Sequence, residues 1–148
     1  MSGHPRVVGF LQRAVNHELS AVQQFTLQAA RAEALGLRAL AEELRTGARE
    51  ELAHAEAFAA GLLTLGADAR PGLTRALPVG RSREELLRFG LATEAEAVRL
   101  YDEARRFCER IGDAGHHALF ARILEDEVRH HRELEQRIET PGSAQARR

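Results

Sequence analysis

Two Glu-x-x-His quartets, each preceded at the same distance by a further glutamate, constrain this chain more than any other feature. Glu51-Leu52-Ala53-His54 follows Glu18 by 33 residues, and Glu127-Val128-Arg129-His130 follows Glu94 by the same 33. The two halves superimpose at an offset of 76, which also lays Ala21 on Ala97, Val22 on Val98 and Glu50 on Asp126. On a helix, a carboxylate and an imidazole three positions apart project from one face a turn apart, a spacing that suits two ligands of one metal ion. One such pair arises by chance in a chain rich in Glu and His. Its recurrence with the lone glutamate in register makes an internal repeat of a helical hairpin.

The rest of the sequence supplies the helices. Ala, Leu, Glu and Arg dominate, Ile and Val are scarce and aromatics are 5% of residues, a composition that favours helix and offers little to a sheet. Breakers divide it into four long stretches. The first opens at Pro5, suited to a first helical turn, and runs to about Leu35 before Gly36; the second runs from about Leu37 to Leu65 before Gly66. Pro71, Gly72, Pro78 and Gly80 then mark a connection rather than a helix. Ser82, with Glu85 three residues on, forms a capping box for a third helix reaching about Ile111, and Asp113 caps a fourth that ends near Glu139, before Thr140-Pro141-Gly142.

Helices of this length span roughly 40 to 45 Å at about 1.5 Å per residue, and the first and third connections are tight, so each pair is an antiparallel hairpin. The middle connection is long enough to travel the length of a bundle and set the second and third helices parallel. The fold expected is all-α: a four-helix bundle of two hairpins with one long crossover over residues 1–140, followed by a polar tail over 141–148. On the first helix Val7, Leu11, Ala14, Val15, Val22, Phe25 and Ala29 form the stripe expected to be buried.

An approximate two-fold axis between hairpins brings Glu18, Glu51, His54, Glu94, Glu127 and His130 to one level of the bundle centre. Four carboxylates cannot stay buried and ionised there without compensating cations, and two divalent ions meet that need. Oxygen-rich ligation with one imidazole per metal suits iron or manganese better than structural zinc, although the spacing leaves zinc open.

With this pattern the chain resembles the bacterioferritins over about residues 5 to 140, and the Glu, Glu-x-x-His, Glu, Glu-x-x-His order matches the ligand plan of ferritin-like di-iron bundles. The resemblance implies that Glu51 and Glu127 bridge two iron ions, that Glu18 and Glu94 are terminal ligands, and that His54 and His130 each cap one iron. It implies a cytoplasmic ferroxidase that oxidises Fe(II) with dioxygen or hydrogen peroxide and stores the ferric product as mineral in a hollow cage. Glu50 and Asp126, each just before a bridging glutamate, are placed to accept the outer ring N–H of the ligating histidines across the axis.

Three departures modify that expectation. Bacterioferritins bind haem between two subunits through a methionine placed directly after the first Glu-x-x-His glutamate; here that position is Leu52, and the sole methionine is Met1. Haem ligation by two methionines is therefore not expected. The tyrosine usual near the metals is replaced by Phe25, while the only tyrosine, Tyr101, stands at the equivalent position of the other half. Its hydroxyl is expected to bond Glu18 and to supply an electron during oxidation; the alternative is a helix-core tyrosine with a wet hydroxyl. The polar tail replaces the usual fifth helix, so a homodimer is the assembly expected and a larger cage is left open.

Other classes fit less well. A net charge of -1 without blocks of like charge lacks the footprint of a nucleic-acid binder, and one cysteine, Cys108, excludes disulfides and thiolate metal knuckles. No apolar run is long enough to span a membrane, no signal-like segment opens the chain, and no glycine-rich phosphate loop occurs. His4, His17, His116, His117 and His131 read as solvated, with His116-His117 a weak candidate for metal admission, and Cys108 reads as a small apolar core residue. The rivals that remain are a dimeric di-iron oxidase or peroxidase that stores nothing, and a non-catalytic helical interaction module.

Overall fold

The computed structural model describes residues 3–140, and among these the chain forms four helices and no strand. They are α1 (Pro5–Ala34), α2 (Arg38–Thr64), α3 (Arg83–Arg110) and α4 (Ala114–Glu139). The expected bounds hold to within a residue or so. The polar tail expected over 141–148, in place of a fifth helix, lies outside the described residues.

The ends show why the helices stop there. Pro5 opens α1 while the His4 ring nitrogen Nδ1 accepts the Arg6 N–H at 3.1 Å. Gly36 and Gly112, equivalent in the two halves, both adopt positive φ, at 77° and 73°, the left-handed conformation that glycine enters without a Cβ clash. Each lets the next residue turn back onto its helix, Leu37 N–H to the Ala32 carbonyl and Asp113 N–H to that of Cys108, both at 2.9 Å. Ser82 caps α3 by accepting the Glu85 N–H. The Glu85 carboxylate accepts from Arg81 N–H, one residue outside the expected capping box. Asp113 caps α4 through the His116 N–H.

The crossover, residues 65–82, follows α1 from its N-terminal end. Gln12 Nε2 donates to the Arg70 carbonyl, Arg75 N–H to Ser20 Oγ, Gln24 Nε2 to the Pro78 carbonyl and Gln28 Nε2 to that of Val79. It thus reaches the far end of the bundle before α3 begins, and α3 runs parallel to α2. Gln24 and Gln28 are buried for this purpose, a role the apolar stripe does not reveal. Of the stripe, Val7, Leu11, Ala14, Val15, Phe25 and Ala29 are buried, while Val22 is only half-buried.

The core divides into two apolar clusters. One gathers Val7, Leu11, Phe58, Leu62, Tyr101, Phe120 and Ile123; the other gathers Phe25, Ala29, Leu40, Leu44, Leu86, Leu87 and Leu134. Full burial of such side chains stabilises by roughly 1.5–3 kcal/mol each, and this supports the helices that carry a polar layer between the clusters.

Candidate metal centre

That layer holds the six residues singled out by the repeat, one glutamate from each of α1 and α3 and a Glu-x-x-His pair from each of α2 and α4. None is more than 8% exposed. Their ligand atoms fall into two groups, Glu18, Glu51, His54 and Glu127, and Glu51, Glu94, Glu127 and His130, each with all its atoms within 4.8 Å of one another. Glu51 and Glu127 belong to both groups, the arrangement required of carboxylates shared between two ions.

Both imidazoles turn Nδ1 inward. His54 Nδ1 lies 2.9 Å from Glu127 and 3.8 Å from Glu18; His130 Nδ1 lies 3.0 Å from Glu51 and 3.8 Å from Glu94. Their Nε2 atoms turn outward across the axis, His54 to Asp126 at 2.9 Å and His130 to Glu50. A carboxylate only accepts, so the outward nitrogen carries the proton and orients the ring. Arg129, unremarkable in the sequence, ties this outer layer together by pairing with both Glu50 and Asp126.

Burial pushes the Glu18 and Glu94 carboxyls well above the usual range, and the Glu51 charge adds to it. Burial opposes charge on the imidazoles too, but the neighbouring Glu127 and Glu51 carboxylates prevail and raise His54 to about 10 and His130 to about 11. Glu127 is also desolvated, yet its neighbours Glu94, His130 and His54, the last hydrogen-bonded to it, hold it well below the usual range. Protons thus do the compensating that cations would do. The compensation is incomplete: Glu18 Oε2, Glu51 Oε1, Glu94 Oε2 and Glu127 Oε2 are buried without a hydrogen-bond partner, Glu51 Oε1 being near His130 Nδ1 but outside bonding geometry. Four orphaned carboxylate oxygens and two inward imidazole nitrogens fit a pair of divalent ions.

Tyr101 is fully buried and its hydroxyl donates to Glu18 Oε1 at 2.5 Å, which removes the wet-hydroxyl alternative. Its ring packs between Phe58 and Phe120. Phe25 occupies the equivalent place in the other half.

His17 corrects the reading of the remaining histidines. Its side chain is only 11% exposed, its ring stands edge-on to Tyr101, and its buried Nε2 lacks a partner, so burial lowers its pKa. Glu96 of α3 and Arg75 of the crossover close over it. The His116 ring is taken up by Asp113 and His117 Nδ1 lies 3.1 Å from the Arg105 carbonyl, so neither stands as an open metal pair. Cys108 is buried in the apolar core, as expected, and burial raises its thiol to about 11.

A crossover bundle with glutamate and Glu-x-x-His ligands at its centre defines the ferritin-like class, and a family model described as a ferritin-like domain matches residues 9–141. Bacterioferritin of Rhodobacter capsulatus is 34% identical over 140 residues, 93% of this chain and 86% of that one. Bacterioferritin of Mycolicibacterium paratuberculosis is 31% identical over 94% of this chain and 87% of its own length. A solved structure of the Rhodobacter capsulatus protein, described with a metal-free dinuclear site and a haem iron in a crystallographic special position, superimposes with a TM-score of 0.90, covering 94% of this chain and 87% of that one at 32% identity. The chain belongs to the ferritin-like family, among the bacterioferritins.

Proposed function

We propose that this chain is a ferroxidase of bacterioferritin type, which binds two Fe(II) ions as substrate at the centre of each subunit and oxidises them for storage and detoxification. The observation that carries the reading is the pair of ligand groups sharing Glu51 and Glu127, with four orphaned carboxylate oxygens between them. Glu18 and His54 complete one position, Glu94 and His130 the other. Bound as a pair, the irons supply two electrons, one each, so that dioxygen with two protons gives hydrogen peroxide, or peroxide with two protons gives water.

The protein's own groups prepare and balance that exchange. Admission of the metals displaces the protons held on Glu18, Glu94, His54 and His130, since each must present a lone pair. Asp126 and Glu50 fix the outward N–H of the two rings and keep Nδ1 aimed inward. The two apolar clusters exclude bulk water on either side. Where only one Fe(II) is loaded, Tyr101 supplies the second electron to the oxidant and becomes a phenoxyl radical, its hydroxyl proton passing to Glu18 Oε1, the atom it already touches.

Haem does not fit the same reading. Leu52 points outward from α2, 53% exposed, and a leucine side chain has no lone pair for iron. With Leu27 and Leu63 it leaves large apolar side chains exposed on α1 and α2, and these pack against a second copy in a homodimer. The homodimer is the assembly this reading needs, with a larger cage of such dimers left open; no helix among the described residues is long and apolar enough to cross a membrane.

The test is Glu127→Ala beside wild type. Loss of both irons and of rapid Fe(II) oxidation in the variant supports the proposal, whereas two irons retained by the variant or none bound by wild type overturns it, the latter result favouring the interaction module.

A further inference from the structure

The two-fold repeat that builds the centre is broken in one place. A small cavity of about 40 Å³ abuts Glu94 and His130 and is lined by Phe25, Leu44, Gly47 and Leu134. At the offset of 76, those four positions correspond to Tyr101, Phe120, Ile123 and Phe58. All four counterparts are completely buried, and they fill the space beside Glu18 and His54. On the cavity side three positions carry a smaller group: leucine for phenylalanine twice, and glycine for isoleucine.

Gly47 is the informative one. It lies inside α2, where glycine weakens a helix relative to alanine. No packing requires it, because a Cβ there meets only Phe25 Cδ2, at an ordinary 3.8 Å. What a larger side chain would do is fill the cavity. At the outer end stand Glu43 and Glu133, where the closed half has Leu119 and Ala57. Both acids are paired, Glu43 with Arg137 and Glu133 with Arg129.

We infer that this cavity docks dioxygen beside the Glu94 and His130 side of the metal pair, so that the oxidant approaches from one half of the pseudo-symmetric centre. The inference rests on the ferroxidase reading and deepens it by naming the oxidant and its side of approach. The volume exceeds the roughly 10–15 Å³ that one small guest such as a water needs, and between the charged ends its walls, Phe25, Leu40, Leu44 and Leu134, are apolar and suit an apolar guest. Dioxygen is small and apolar and enters at no desolvation cost. A hydrated Fe(II) ion would have to shed water between Phe25, Leu44 and Leu134, which offer nothing in return.

Xenon is the probe, because it reports on the cavity without iron. Crystals of the metal-free protein under xenon pressure are expected to show one site among Phe25, Leu44, Gly47 and Leu134. Gly47→Ile, which copies the closed half, is expected to abolish that site and raise several-fold the oxygen concentration giving half-maximal Fe(II) oxidation. Gly47→Ala, which fits without displacement, should produce a smaller change in the same direction. Two Fe(II) per chain should still bind anaerobically in both variants. Absence of xenon from the cavity overturns the inference whether or not iron binds, as does an unchanged oxygen dependence in Gly47→Ile or a divalent ion found in the cavity after soaking. Failure of wild type to bind two irons overturns the ferroxidase reading and leaves the xenon result intact.

Discussion

Tyr101→Phe removes one oxygen atom from the centre and little else. The ring stays in place between Phe58, with centroids 5.0 Å apart, and Phe120, at 6.1 Å, so no apolar cavity is added to the cost. What is lost is the hydroxyl bond to the fully buried Glu18. In the metal-free protein burial keeps the Glu18 carboxyl protonated far above its usual range, so the lost bond is an ordinary neutral one, about 1 kcal/mol. With metal bound Glu18 is ionised, and a bond to a charged acceptor is worth about 1.5–3 kcal/mol. Urea unfolding should therefore show a modest loss in chelated protein and a larger one after reconstitution with a redox-inert divalent ion. For a domain of this size each kcal/mol corresponds to roughly 2–4 °C in melting temperature. Freeze-quench electron paramagnetic resonance during Fe(II) oxidation should lose a tyrosyl signal, with slower completion of the reaction. Equal stability in both metal states, together with unchanged kinetics and an unchanged radical signal, would refute the assignment.

Three further outcomes follow from the same geometry. Asp126→Asn weakens the acceptor that orients His54 and is expected to cost about 10- to 100-fold in metal affinity, read by competition with a chelator. Metal-free protein should lose stability as pH rises from 7 to 9. His54 and His130, raised to about 10 and 11, stabilise fully below their unfolded value near 6.5 and lose that contribution as pH climbs through the folded values. Each retained proton is worth up to about 1.4 kcal/mol per pH unit, and raised Glu18 and Glu94 act in the same direction, so melting curves of chelated and metal-loaded protein should diverge over this range. Leu52→Met, at an exposed position, should fold normally and acquire a Soret band with one haem per dimer on reconstitution, while wild type acquires none; haem retained by wild type would contradict this.

The parts of this molecule that could be read from residue order are those whose signal is local. Proline and glycine at Pro5, Gly36, Gly66 and Gly112 mark the helix ends, and the spacing of Glu51 with His54 and of Glu127 with His130 places ligands on one face whatever the neighbours do. The cross-axis partners Asp126 and Glu50 were legible for the same reason, once the repeat aligned them. His17 was not, because its burial is imposed from outside by Arg75 on the crossover and Glu96 on α3, distant in sequence. Gln24 and Gln28 look like exposed polar residues on α1 until the crossover carbonyls they hold are in place. The cavity beside Glu94 escapes notice in either half alone and emerges only when Gly47 is compared with Ile123.

Anaerobic titration of metal-free protein with Fe(II), followed by Mössbauer spectroscopy of the loaded sample and admission of oxygen, tests the central claim most directly. The structure predicts saturation at two Fe(II) per chain, two closely similar but distinguishable sites, and rapid conversion of both to coupled Fe(III). Saturation at one iron or fewer, or two irons whose binding survives the loss of Glu127, would contradict it.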